Sequence, residues 1–376
     1  MSAGSSEQDY FYQKVALIGT GLIGGSIGIA LREKRLVRLI SGYDSDPASA
    51  AAAVERGAID IAVESPLKAV SDADLIILAV PVMSTLQLLK EIIPAVSEDA
   101  VITDVGSTKG SIMAAVEQIL PPTIHFIGGH PMAGSEESGI KGADPALLEN
   151  AIYVLTPGST TPPEAIDRLA EMLKQAGAQP LMLDPLAHDR AVASVSHLPH
   201  ITAAALVQSV AGVSEHELVH TLAAGGFRDS TRIALGNPDV WRDICISNRW
   251  ALLAALKRFK VKLDILEEAL AEPNPESIKE YLQQARDYRK TIPYRGRGIL
   301  PELHEVIVLV RDTPGVIGHM AGLLGEAGIN IDAIEIMHVR ELSGGSIRLG
   351  FRDKAQQQQA EILLREKGFS THPTGS

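Results

Sequence analysis

Gly19-Thr20-Gly21-Leu22-Ile23-Gly24 stands directly after the apolar run Val15–Ile18 and opens an Ala/Ile-rich stretch that keeps helical character through Leu31. Alone, such a glycine pattern is weak. Here a strand candidate precedes it, a helix follows it, and the acidic residue Asp44 closes a second apolar run, Leu39–Tyr43, about 20 residues on. The three contexts together read as a dinucleotide-binding fingerprint. Gly19 permits the tight turn, Gly21 lets a pyrophosphate approach the backbone, Gly24 lets the helix pack on the strand, and Leu22 and Ile23 begin the helix whose N-terminus faces the phosphates. Asp44 would accept hydrogen bonds from the adenosine ribose and repel a 2′-phosphate, and Ser45 follows it rather than an arginine, so the cofactor expected is NAD rather than NADP. A glycine-rich turn with no ligand is the plainer alternative.

Outward from this unit, short apolar runs alternate with helical stretches. Ala48–Arg56 reads as a helix, and Leu75–Val80 is a continuous apolar run, as expected of a strand covered on both faces. Val80, at its end, is placed with the cofactor. Ala100–Asp104, His125–Ile127, Ala151–Thr156 and Pro180–Leu183 are further strands, and Pro163–Gln175 is an amphipathic helix. The alternation predicts an α/β Rossmann-type doubly wound sheet over residues 12–184. Beyond Asp184 the strand runs stop. Residues 185–292 read as an all-α domain for substrate and dimerisation, with breaks at Gly225–Gly226, Gly236–Pro238 and Pro273–Pro275. The long helical stretch Trp241–Leu270 would bury one face against a second subunit or, alternatively, in a monomer core. Ile292–Pro301, rich in Gly, Pro and Arg, is a linker. Residues 302–373 show β-α-β-β-α-β order, with strands at His304–Arg311, Ile329–Arg340, Ser346–Phe351 and Phe369–His372; that is the ferredoxin-like arrangement.

Composition narrows the partners. The 376-residue chain is long enough for two or three domains, and its 45% hydrophobic and 21% charged content suits a buried core. A formal net charge of −12 disfavours nucleic acid and acidic membrane surfaces, leaving a small molecule. The single cysteine, Cys245, excludes an intrachain disulfide and fits a reducing compartment. Met1–Lys14 is polar, without the apolar core of a signal peptide, and no apolar run is long enough to span a bilayer. The expected location is the cytoplasm.

Candidate chemistry lies in three segments. In Gly128-Gly129-His130-Pro131-Met132-Ala133-Gly134-Ser135-Glu136 a histidine follows a strand within a glycine-rich loop, at the carboxyl edge of the sheet where ligands bind. Oxidising a carbinol needs a base for the hydroxyl proton, and histidine titrates near neutrality. Asp104-Val105-Gly106-Ser107-Thr108-Lys109 follows another strand, so Ser107 would orient the imidazole or touch the nicotinamide. A structural loop histidine is the alternative for His130. In the helical part, Ser196-His197-Leu198-Pro199-His200 starts a helix, and Gly225–Arg232 reads as a glycine loop bearing Arg228 and Arg232, suited to an anionic substrate; for one of these arginines a salt bridge is the plainer role. His216-Glu217-Leu218-Val219-His220 has the spacing of a zinc site, but no Glu or His follows until Glu267, and it reads as an ordinary helix. No metal is expected.

These segments, with GTGLIGGS, DVGSTKG, GHPMAGSEESG, SHLPH and GGFRDSTRI in this order and spacing, resemble the prephenate dehydrogenases of tyrosine biosynthesis over Lys14 to Lys290. The C-terminal stretch, with Arg311-Asp312-Thr313-Pro314-Gly315-Val316 and Gly328-Ile329-Asn330-Ile331, resembles an ACT domain, an amino-acid-sensing module. The resemblance implies oxidative decarboxylation of prephenate by NAD to 4-hydroxyphenylpyruvate. It implies His130 as the catalytic histidine and Ser107 as its support. It places His200 and Arg232 at the substrate, with Ser135, Glu136, Ser196, Asp229 and Trp241 near it. Asp312, Gly315 and Asn330 would form a tyrosine effector site, and the chain would be a homodimer through its helical domain with ACT–ACT contacts. Arogenate dehydrogenases share most of these motifs, and which carboxylate Arg232 binds is not written in them. Two other readings are a β-hydroxyacid dehydrogenase and an NAD- and amino-acid-binding regulator without turnover. The first would rely on a lysine in the helical domain; the second would need no pairing of His130 with Ser107.

Overall fold

The computed structural model describes residues 10–134, 137–212, 216–272, 274–292, 303–310, 313–337 and 345–373. The chain divides into two compact units, Met1–Gly298 and Ile299–Ser376.

The first unit is built on strands β1 (Tyr12–Ile18), β2 (Val37–Tyr43), β3 (Ile61–Ala62), β4 (Leu75–Leu78), β5 (Val101–Asp104), β6 (His125–Pro131), β7 (Ile152–Pro157) and β8 (Gln179–Met182). Their order in the sheet is β3-β2-β1-β4-β5-β6-β7-β8. Helices α1 (Leu22–Glu33), α2 (Pro47–Glu55), α3 (Pro66–Val70), α4 (Val82–Ile92), α5 (Gly110–Ile119) and α6 (Pro163–Gln175) cross between them. Two apolar clusters lie on opposite faces. One joins Leu17, Leu31 and Ile40 to Leu169 and Met172 of α6; the other joins Ile18, Ile76 and Ile102 to Leu89 of α4 and Ile112 of α5. This is the expected doubly wound sheet, and its strand order reverses between β1 and β4, the switch point where such sheets bind ligands.

The sheet departs from the sequence expectation at β6. The apolar pattern ends at Ile127, yet the strand continues to Pro131, so His130 sits in a strand and not in a glycine-rich loop. The cause is pairing: β7 runs antiparallel to β6, with Gly128 opposite Thr156, Gly129 opposite Leu155 and His130 opposite Val154. The glycines that hide the strand from a propensity reading are what let it form. A Cβ on Gly128 would lie 2.3 Å from Thr156 Oγ1, and one on Gly129 2.3 Å from the Asp104 carbonyl oxygen. Only residues without side chains pass between β5 and β7 there.

The remainder of this unit is helical: α7 (Pro185–Val192), α8 (Leu198–Ala211), α9 (His216–Leu222), α10 (Gly225–Thr231), α11 (Pro238–Ser247), α12 (Arg249–Ala271) and α13 (Pro275–Thr291). Three local expectations change. α8 begins within SHLPH, at Leu198 with Pro199 in its first turn, but it is not a fresh start: α7 runs into it through a π-helical turn, Ala193–His197. Gly225–Arg232 is not a loop, because α10 begins at Gly225 itself and passes into a 3₁₀ turn, Arg232–Leu235. Trp241–Leu270 is two helices broken at Asn248, whose side chain bonds the Asp189 carbonyl and His197 instead of continuing a helical surface. Leu253, Val261 and Leu270 of α12 are 56%, 54% and 60% exposed. No helix among the described residues is long and apolar enough to cross a membrane.

The second unit comprises β9 (His304–Val310), α14 (Val316–Glu326), β10 (Ala333–Met337), β11 (Gly345–Phe351), α15 (Lys354–Glu366) and β12 (Ser370–Pro373), with antiparallel order β10-β11-β9-β12. Val306, Val308, Ile347 and Leu349 alternate inward against Met320, Leu324 and Leu364 of the two helices, which is the period-2 pattern of a sheet covered on one face. The expected linker lies almost wholly outside the described residues.

Candidate active site

Three carboxyl strand ends shape a cavity of about 420 Å³ beside the glycine loop, lined by Gly19 and Gly21 after β1, Asp44 and Ser45 after β2, and Val80 and Pro81 after β4. Gly19 adopts φ +90°, and a Cβ there would lie 2.2 Å from the Ala79 carbonyl oxygen; one on Gly24 would lie 2.1 Å from that of Gly19. Gly21 differs: nothing lies within 4 Å of its would-be Cβ. It N-caps α1 without a side-chain hydrogen bond, so the first-turn amides face open space. That combination fits a diphosphate. Asp44 is already oriented, its Oδ2 accepting from Thr20 N at 2.8 Å and Thr20 Oγ1 at 3.1 Å. Leu22 and Ile23 are not part of the lining; Ile23 packs on the core and Leu22 approaches Gly142.

A buried polar network surrounds His130, which is 8% exposed. Its Nδ1 lies 2.8 Å from Nε2 of His188, and His188 Nδ1 lies 2.9 Å from Oδ1 of Asp189. The two rings meet edge to face, 5.0 Å between centroids. Asp189 also accepts the backbone N–H groups of Lys109 and Gly110, both at 2.8 Å, and so caps α5, whose own N-cap residue supplies no side-chain bond. Asp104, at the end of β5, accepts from Gly106 N at 2.9 Å, from Gly129 N at 3.0 Å and from the wholly buried Lys109 ammonium. Burial first, then electrostatic opposition from His188, Lys109 and His197, holds the His130 imidazole well below the ordinary histidine value of 6.5. Burial pushes the Lys109 ammonium down as well, opposed by Asp104.

Ser107, expected to orient His130, is half-buried in the β5–α5 loop; His130 Nδ1 is paired with His188, 58 residues downstream. His200 stacks on Trp241, centroids 3.4 Å apart at 12°, with the edge of His197 at 6.0 Å on the same indole. Burial lowers His200, and burial with His188 and His200, opposed by Asp189, brings His197 down to about 4. Asn248 Nδ2 ties His197 Nδ1 at 3.2 Å to the Asp189 carbonyl at 2.8 Å. The structure thus joins His200 and Trp241 to the His130 network through His197 of the SHLPH segment and through residues the sequence reading did not single out: His188, Asp189 and Asn248. One signal was available. His188, Asp189 and Val192 are the buried residues of α7, so two polar residues occupy the core-facing phase of an amphipathic helix. Ser196 is half-buried in the π turn, whereas Arg232 and Asp229 are exposed. Ser135 and Glu136 lie outside the described residues. In the second unit, Gly315 takes φ +86° as N-cap of α14 and Asn330 Nδ2 donates to Asp332 Oδ1 at 3.2 Å; Asp312 lies outside the described residues. Among the described residues no group of three His, Cys, Asp or Glu side chains is placed to hold a metal ion.

A doubly wound sheet with a diphosphate cradle at its switch point, followed by a helical segment that contributes to a buried histidine network, defines a nucleotide-dependent dehydrogenase of the two-part kind. Models of the prephenate dehydrogenase nucleotide-binding domain and dimerization domain match residues 27–182 and 184–284, and that of the ACT domain matches 304–364. The chain is 38% identical over 355 residues to prephenate dehydrogenase of Bacillus subtilis (strain 168), covering 94% of this chain and 96% of that protein. Among solved structures, prephenate dehydrogenase from A. aeolicus in complex with hydroxyphenyl propionate and NAD+ is 34% identical with a TM-score of 0.71, covering 77% of this chain and all of that one. Synechocystis arogenate dehydrogenase is 35% identical with a TM-score of 0.66, covering 74% and 99%. The chain belongs to the prephenate dehydrogenase family.

Proposed function

We propose that this protein oxidises prephenate with NAD+, releasing carbon dioxide and 4-hydroxyphenylpyruvate. The observation that carries the reading is His130: a histidine buried on β6 with its Nδ1 2.8 Å from His188 and its value pushed down chiefly by burial, in a chain whose glycine cradle fits a dinucleotide. A relative that holds hydroxyphenyl propionate and NAD+ supports both ligands. When bound, NAD+ supplies the hydride acceptor. His130 takes the ring hydroxyl proton as the C–H electron pair leaves the same carbon, so a carbonyl forms. The bond to the ring carboxylate then breaks, its electrons aromatise the ring, and the carbonyl oxygen regains a proton as a phenol. His200 and Arg232 bind the anionic substrate, with Ser135, Glu136 and Ser196 near it, and Ser107 lies by the nicotinamide. Gly19, Gly21, Gly24, Asp44 and Val80 hold the dinucleotide, with Leu22 and Ile23 shaping the first turn behind them. Domains spanning 12–184, 185–292 and 302–373 carry cofactor, substrate and regulation. The exposed apolar residues of α12 pair two copies into a homodimer, and tyrosine binds the ACT unit around Asp312, Gly315 and Asn330 to restrain turnover. The single cysteine suits a cytoplasmic enzyme.

Following NADH absorbance with prephenate and arogenate offered separately, each with and without tyrosine, tests this directly. Fast turnover of prephenate that tyrosine suppresses is expected. Turnover of arogenate alone would move the substrate, and insensitivity to tyrosine would remove the effector. For the cofactor, Asp44→Ala is expected to weaken NAD+ binding about tenfold, the worth of one hydrogen bond to a charged group, and to narrow the preference over NADP+. Calorimetry giving unchanged NAD+ affinity would displace Asp44 from the ribose.

A further inference from the structure

A base must present a lone pair, and an imidazole has two nitrogens that can carry its single proton. Which one does is set by the bond the other makes. Asp189 Oδ1 only accepts, so the proton between it and His188 sits on His188 Nδ1. In a neutral His188, Nε2 is then the acceptor, and the 2.8 Å contact has His130 Nδ1 as its donor. His130 Nε2 is left bare, and it makes no hydrogen bond among the described residues.

We propose that His188, held by Asp189, is a positioning residue that fixes His130 as the tautomer with a proton on Nδ1 and a free lone pair on Nε2. The chain of contacts also explains why the carboxylate belongs on α7. Asp189 is wholly buried and its two oxygens accept three N–H groups, from His188, Lys109 and Gly110. It therefore locks the ring of His188 and the β5–α5 loop against each other. Its carbonyl is anchored in turn by Asn248. Neither residue need touch substrate. When His130 takes the substrate proton on Nε2, its Nδ1–H bond to His188 strengthens, so the same pair that selects the tautomer steadies the imidazolium.

The inference rests on His130 being the base, and the test separates the two. His188→Met keeps the size of the side chain and the Asp189 bonds to Lys109 and Gly110 but removes the acceptor; His188→Gln restores one in its amide oxygen. His188→Met is expected to lower kcat by about 100-fold with KM for prephenate and affinity for NAD+ each within about threefold, and His188→Gln to recover about tenfold of that loss. Equal rates in the two variants, or a loss confined to KM, would overturn the positioning role. Inclusion of His130→Ala assigns any failure: an inactive His130→Ala beside a fully active His188→Met defeats only this inference, whereas an active His130→Ala defeats the reading beneath it. Should His188→Met not fold, ring-nitrogen NMR of the wild-type protein labelled with ¹⁵N-histidine decides. A protonated Nδ1 and unprotonated Nε2 on His130 support the proposal, and the reverse pattern ends it.

Discussion

His130→Ala is expected to lower kcat by about 10³-fold, the usual span of a positioned general base, while NAD+ affinity stays near that of the wild type. The separation follows from the fold: His130 stands on β6, whereas the cavity beside the glycine loop is lined from the ends of β1, β2 and β4 and from α4. The wild-type pH profile carries the same information. His130 works only uncharged, and its burial, with His188, Lys109 and His197 around it, holds its value well below 6.5. As pH falls, the base is lost only on passing through that depressed value. The acid limb of kcat/KM is therefore expected below 6.5, with a plateau extending up through neutrality. Near-wild-type turnover in His130→Ala, or an acid limb at or above 6.5 in the wild type, would refute this role for the histidine.

Lys109→Met is expected to destabilise the protein by about 3–5 kcal/mol, the cost of leaving one charge of a buried pair without its partner. Lys109 and Asp104 are 0% and 1% exposed and in direct contact. Asp104 would keep its bonds from Gly106 and Gly129, which orient it but do not neutralise it. The urea midpoint of the variant reads the loss, and adding Asp104→Asn should return part of it, because an amide tolerates the dry site better than a lone carboxylate. A single variant within 1 kcal/mol of wild type would mean that water reaches Asp104. The pair matters to the site as well as to stability. Asp104 grips Gly129 beside His130, and the Lys109 amide is held by Asp189, so loosening it disturbs the histidine from two sides.

How far the sequence foretold these features depends on the range of the cause. β1, β4 and β5 were legible because a strand covered on both faces must be apolar throughout, and α1 because glycine and helix adjoin within one motif. The geometry of the glycine loop was legible for the same reason: Gly19 and Gly24 are fixed by close local approaches of the backbone. The extension of β6 to His130 was not, since two glycines argue against a strand and the partner that stabilises it lies across the sheet in β7. α10 was hidden by Gly225 and Gly226, which mark a break in most contexts but here begin a helix. His188 escaped because its meaning is a contact with a residue 58 positions away, and the one local trace of it is that His188 and Asp189 share the buried phase of α7 with Val192. Asn248 likewise divides α11 from α12 through bonds to His197 and Asp189 rather than through poor helix propensity alone.

The glycine pair of β6 has a bearing on how this protein can vary over generations. Two successive positions there are closed to every side chain, alanine included, by the Thr156 hydroxyl on one side and the Asp104 carbonyl on the other. A substitution at either would push the strand off its neighbours and carry the adjoining His130 with it. Drift in this segment is therefore possible only by coordinated replacement across β5, β6 and β7. The open space over Gly226, and only an ordinary contact with the Asp229 carboxylate at Gly225, by contrast leave α10 free to accept new side chains one at a time. Change can thus accumulate on the helical side, while the strand bearing His130 stays fixed by what its neighbours lack.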